Sequence, residues 1–189
     1  ARTVGQKLSE ALGQSVVIEN KPSAGGVLAG EQVARADADG HTILLISSGT
    51  AVSASLFKAL PFDTIKDFTP VTKLASFDLV LAVSETGRFK TIADLLSFAR
   101  ANPGKLNVGT PQIGTTQNLA AELFASTAGV SIQIVPFNGT PPAVQNLVGG
   151  QVQAAFLPLL AVKPHVESGK VKVLALTSPK RSPLMPNVA

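Results

Sequence analysis

The apolar residues of this 189-residue chain fall in short clusters whose spacing switches between the period of a helix and that of a strand. Val4, Leu8, Ala11 and Leu12 share a helical face over residues 1–12, and Gly13 stands where that helix should end. The β-branched run Ser15-Val16-Val17-Ile18-Glu19 predicts a buried strand, stopped by Asn20-Lys21-Pro22. Gly25-Gly26 leads into a predicted helix over residues 27–35, and the Asp39-Gly40 turn feeds a strand over 42–47. Helix, strand, helix, strand is the order of a parallel sheet with crossover helices. Residues 56–68 read as a connector with two Pro-linked turns. Residues 71–74 and 79–83 read as one strand continuing through a bend, where the chain crosses from a first lobe into a second.

The second lobe has clearer punctuation. Thr91 is an N-cap for a helix over residues 92–101, with Asp94 in its first turn and Asn102-Pro103-Gly104 at its end. A short strand over 106–109 precedes a helix over 115–128 that Gly129 closes, and a strand over 131–135 stops at Pro136. Pro141-Pro142 opens a helix through 148, which Gly149-Gly150 ends. A strand over 152–157, a helix over 158–167 and a strand over 172–177 follow. The predicted organisation is an α/β protein of two lobes, 1–76 and 77–177, with 178–189 crossing back toward the first. No strand precedes the helix over residues 1–12, and the tail carries three Pro without periodicity, so the first lobe reads as incomplete, the chain truncated at both ends.

Composition narrows the function classes. Apolar residues make up 45% of the chain, too many for a disordered tail, yet runs such as 42–46 and 79–83 are far shorter than the ~20 residues a bilayer span needs. Direct membrane insertion is therefore not expected. The absence of Cys removes disulfides, thiol nucleophiles and thiolate metal sites together. A net charge of +4 suits an anionic ligand, but the basic residues are scattered, Lys180-Arg181 being the nearest to a cluster, so nucleic acid is not an expected partner. His41 follows a turn and His165 sits on a predicted helix, and neither has a second ligand at metal-binding spacing. No metal and no cofactor is expected. Neither a Gly-x-Ser-x-Gly elbow nor a phosphate-binding Gly loop is present, so no catalytic residues are assigned.

Three strand-to-helix junctions of small hydroxyl residues and Gly stand out instead: Ser47-Ser48-Gly49-Thr50, the stretch from Gly109 to Thr116, and Pro136-Phe137-Asn138-Gly139-Thr140. Each falls at the carboxyl end of a predicted strand, where open α/β sheets bind ligands. The first turn of a helix offers free N–H groups and partial positive charge, and Ser and Thr add donors without bulk. The same residue types also serve as ordinary helix caps.

The ordered segments Gln6-Lys7-Leu8-Ser9-Glu10-Ala11-Leu12-Gly13, Val17-Ile18-Glu19-Asn20-Lys21-Pro22-Ser23-Ala24-Gly25-Gly26, Leu60-Pro61-Phe62-Asp63, Leu119-Ala120-Ala121-Glu122-Leu123-Phe124, Val135-Pro136-Phe137-Asn138-Gly139 and Leu147-Val148-Gly149-Gly150-Gln151-Val152 resemble the receptors of tripartite tricarboxylate transporters, the Bug-type proteins. The resemblance implies a type II periplasmic binding-protein fold with a ligand cleft between two α/β lobes. It implies a non-catalytic periplasmic receptor that delivers a small organic acid to membrane transporter subunits. Carried over residue by residue, ligand contacts would come from Ser48, Gly49 and Thr50, from Gly114, Thr115 and Thr116, and from Phe137, Asn138 and Gly139. Where many family members have an acidic residue after the Phe of the last cleft strand, this chain has Phe156-Leu157-Pro158, which weakens the case for an amino-bearing ligand. The family's frequent Tyr at position 137 is here Phe, without a hydroxyl. An effector-binding domain of a LysR-type regulator shares the fold and stands as the alternative, ahead of an α/β hydrolase. An incomplete first lobe would expose strand edges and apolar surface, predicting weak binding by this chain or dimerisation through that surface.

Overall fold

A computed structural model of the protein describes residues 1–23 and 26–188. Gly25 of the predicted helix start, Ala24 and Ala189 lie outside the described residues. The chain packs as two compact units, Ala1–Pro70 and Val71–Ala189.

Within the first unit, α1 (Arg2–Leu12) ends on Gly13 in the left-handed region, as its position predicts. The following segment crosses α1 closely: a Cβ on Gly5 would come within 2.8 Å of Ile18 Cδ1, and the Val16 N–H donates to Ser9 Oγ at 2.8 Å. Helix α2 (Val27–Ala34) rests on the buried ring of Phe62, which a Cβ on Gly30 would approach to 2.5 Å. Phe62 meets Phe68 edge-on, ring centroids 5.4 Å apart. Helix α3 (Ser48–Leu56) follows, its first turn formed from the first of the three junctions.

The strands expected at 15–19, 42–47 and 71–74 are not formed among the described residues. A strand exists through its ladder, and among the described residues none of these segments forms one. Part of their apolar surface stands in the open, Val17 at 82% exposure and Ile43 at 62%, while Val16, Ile18 and Leu44 are half-buried. Residues 79–83 do form a strand, but residues 75–78 before them belong to no helix or strand.

The second unit is a three-layer α/β/α sandwich. Its strands are β1 (Leu79–Ser84), β2 (Asn107–Thr110), β3 (Gln133–Pro136), β4 (Ala154–Pro158) and β5 (Val171–Leu176), arranged β3-β2-β4-β1-β5. The helices are α4 (Ile92–Ala101), α5 (Thr116–Ala128), α6 (Thr140–Val148) and α7 (Leu159–Glu167). Strands β3, β2 and β4 run parallel, while β1 is antiparallel to both β4 and β5. Alternation sorts the core onto two faces. Val80, Ala82, Ala155 and Leu157 pack with Ala143, Val144 and Leu147 of α6 and Val162 of α7. Leu81, Val83, Ala154 and Phe156 face the other way, onto Leu95 and Ala99 of α4 and Ala121 of α5. Both faces being covered explains why β1 reads as an unbroken apolar run, buried along its whole length. After β5 the tail folds back within this unit, placing Met185 and Val188 against the α6/α7 face of the core.

Candidate functional site

Three parallel strands fix one end of this sheet. At the carboxyl ends of β2 and β3, Thr110 lies opposite Pro136, so the loops 111–115 and 137–139 leave the sheet side by side. The Phe137 N–H donates to Thr110 O at 2.9 Å, stitching the second loop to the first strand. Gly109 makes room for the Phe137 ring: a Cβ there would stand 3.3 Å from Phe137 Cε2 and 3.1 Å from Val152 Cγ2. Strand β4 ends at Pro158 on this same side, and Leu159 N–H donates to Asp78 O at 3.0 Å, where the chain runs into β1. Thr177 N–H donates to Leu79 O at 2.9 Å, where it leaves β5.

The structure thus brings together six of the predicted site residues. Gly114 and Thr115 precede α5 and Thr116 opens it, while Phe137, Asn138 and Gly139 lead into α6. Gly114 is buried, Thr115 and Thr116 are half-buried, and Asn138 is exposed. Gly139 holds φ 107 and ψ 178, a conformation open only to glycine. Ser48, Gly49 and Thr50 belong to the first unit, where they form the first turn of α3. Thr50 is buried, and its Oγ1 would lie 3.3 Å from a Cβ on Gly26, the cap of α2. The starts of α2 and α3 therefore adjoin within that unit.

Hydrogen bonding refines what these loops can offer a ligand. Gly114 N–H donates to Asn118 Oδ1 at 3.1 Å and Thr115 N–H to Gln112 O at 3.2 Å, so neither amide is idle. Thr115 Oγ1 accepts from Asn118 N–H at 3.3 Å. A hydroxyl that accepts at its oxygen still carries a proton to give, which leaves Thr115 a donor. Asn118, 6% exposed, escaped the sequence reading even though a polar residue three positions after a Thr N-cap has the spacing of a capping box. Gly109 was missed as well, because its role depends on a ring 28 positions away in sequence.

The loops 111–115 and 137–139 carry no ionisable side chain, although Asp78 stands at the same end of the sheet, beside the end of β4. Between Leu106 and Val162 the one ionisable residue is Glu122, exposed on α5. An anion here would be met by neutral donors and helix starts rather than by ion pairs. Leu157, at the position tied by resemblance to amino-group recognition, is fully buried beneath α6 and α7. His41 is exposed and His165 half-buried on α7.

Residues 1–189 match the family described as tripartite tricarboxylate transporter family receptor. The chain belongs to that family. A protein encoded in the tcbD-tcbE intergenic region of Pseudomonas sp. strain P51 is 38% identical over 188 residues, covering all of this chain and 56% of that protein. BugT of Bordetella pertussis is 35% identical over 190 residues, with 58% of its length matched. Among solved structures, Rpa4515 of R. palustris with adipate superposes with a TM-score of 0.88 at 35% identity, covering 99% of this chain and 63% of that one. MatC of Rhodopseudomonas palustris with bound malate gives 0.88 at 33% identity, covering 100% and 64%. The fold is the mixed α/β fold of the family's periplasmic binding proteins, and the chain spans about 56% of the curated relative first named. Among the described residues, no helix is long and apolar enough to cross a membrane, and no cluster of potential metal ligands occurs.

Proposed function

We propose that this chain is the ligand-binding part of an extracytoplasmic receptor that captures a small organic acid without transforming it. The receptor would then hand the acid to the membrane subunits of a tripartite tricarboxylate-type transporter. The observation that carries the reading is the meeting of the Gly114–Thr116 and Phe137–Gly139 loops, neither with an ionisable side chain, at the ends of adjacent parallel strands. Such a site suits a carboxylate held by hydroxyl and amide donors and by the positive ends of α5 and α6. Two structures similar to this chain hold dicarboxylates, adipate in one and malate in the other. A periplasmic location follows from the same reading.

The test is a thermal-shift screen of the full-length protein against mono-, di- and tricarboxylates, with each acid assayed for consumption. A ligand at 100 times its Kd stabilises the native state by about 2.7 kcal/mol. A clear upward shift with the acid recovered intact supports a receptor. No shift with any acid, or turnover of one, contradicts it.

A further inference from the structure

Two helices of the second unit begin with related caps: α4 has a full capping box, while at α5 the third-position side chain takes only the amide before the N-cap and the Thr115 amide goes to Gln112 O. At α4, Thr91 Oγ1 accepts from Asp94 N–H at 3.1 Å, and Asp94 Oδ2 accepts from Thr91 N–H at 2.9 Å and Lys90 N–H at 3.1 Å. At α5, Thr115 Oγ1 accepts from Asn118 N–H, and Asn118 Oδ1 accepts from Gly114 N–H. The third helical position is a carboxylate in the first case and a neutral amide in the second. A carboxylate is ordinarily the better residue there, because it answers the positive helix end as well as the loop amide.

The two helices also begin at opposite ends of the sheet. Helix α4 follows β1, which runs antiparallel to β4, so its start lies away from the candidate site. Helices α5, α6 and α7 follow the three parallel strands and begin on the site's side, and none of them has an acidic residue in its first turn. An acidic first turn is thus present at the helix that begins away from the site and absent from the three that begin on its side.

We propose that Asn118 is a positioning residue of the site, closing the start of α5 with a neutral amide so that the Gly114–Thr115 loop is fixed while the helix end stays positive toward a bound carboxylate. This rests on the reading of the site given above. It makes the acid-free start a determinant of anion preference rather than a detail of capping.

The experiment titrates the full-length protein with adipate and with malate by calorimetry, at low and at high salt. Asn118→Asp preserves the acceptor for Gly114 and adds only charge, and it should weaken binding roughly ten- to a hundredfold at low salt, with part of the loss recovered at high salt. Asn118→Ala removes the acceptor without adding charge, and its smaller loss should not depend on salt. Gln117→Glu places a charge in the same first turn without touching the Asn118 hydrogen bonds. It should reproduce the salt-sensitive loss should the buried Asp variant fail to fold. Asp94→Asn, the mirror change at the far end of the sheet, should leave affinity within about twofold, since charges beyond a Debye length of roughly 10 Å are largely screened. Salt-independent losses, or Asp and Ala variants that bind equally well, overturn the role assigned to Asn118 while leaving the receptor intact. A wild-type protein that binds neither these two nor any other organic acid removes the receptor reading itself, and this inference with it.

Discussion

Replacing Gly139 with Ala tests how tightly the second loop is built. At φ 107 and ψ 178 the residue occupies a region that only glycine visits without strain, and the strain for other residues is on the order of 1–3 kcal/mol. Crowding adds little, because a Cβ would meet only Pro141 Cδ, at 3.8 Å. The cost is therefore conformational. It cannot be relieved by sliding α6, since Ala143, Val144 and Leu147 anchor that helix in the core. Either the strain is retained, lowering the thermal midpoint by roughly 4–8 °C per kcal/mol for a domain of about 100 residues, or the loop 137–139 reshapes and the strain appears as lost affinity. Thermal unfolding and ligand titration of the same variant separate the two. Gly150→Ala is the control: also at positive φ (76°) with no atom within 4 Å, it lies at the other end of β4 and should cost stability but not affinity. A Gly139→Ala protein unchanged in both stability and affinity would refute the reasoning.

Three further outcomes follow from the same contacts. Thr115→Val deletes the N-cap oxygen of α5 and should cost about 1 kcal/mol in denaturant unfolding, together with a loss of carboxylate affinity from the missing hydroxyl donor. Gly30→Ala gains helix propensity of about 1 kcal/mol but drives a methyl into the buried Phe62 ring, a clash of roughly 1–3 kcal/mol, so denaturant unfolding should report net destabilisation. The Thr91 side chain, and after it the Lys90 amide, hold the Asp94 carboxyl below its ordinary value. Because the native value is depressed, the stabilisation is fully present above a pH of about 4 and is lost as pH falls through the native value. The difference in midpoint between wild type and Asp94→Asn should accordingly vanish on acidification.

The second unit was legible because its signals are local. Thr91 with Asp94, Pro141-Pro142 and Gly129 mark helix ends that the structure reproduces within a residue or two. The direction of β1 was not legible, for an apolar run buried on both faces reads the same parallel or antiparallel. The strands expected at 15–19 and 42–47 were misread for a related reason. Their β-branched pattern records a preference for a pleated surface, but the ladder that makes a strand must come from a partner segment. The candidate site was half legible. Small hydroxyl residues after strands marked the loops, while Asn118 and Gly109 matter only through contacts that the fold creates.

The central claim is that a carboxylate sits at the carboxyl ends of β2 and β3. Amide resonances of the full-length protein, followed through a titration with adipate or malate, test it most directly. The largest shifts are expected at Thr115, Asn138 and Gly139, with Gly104, Gly150 and Gly169 at the opposite end of the sheet nearly still. Shifts centred on those three glycines, or spread without focus, would contradict it.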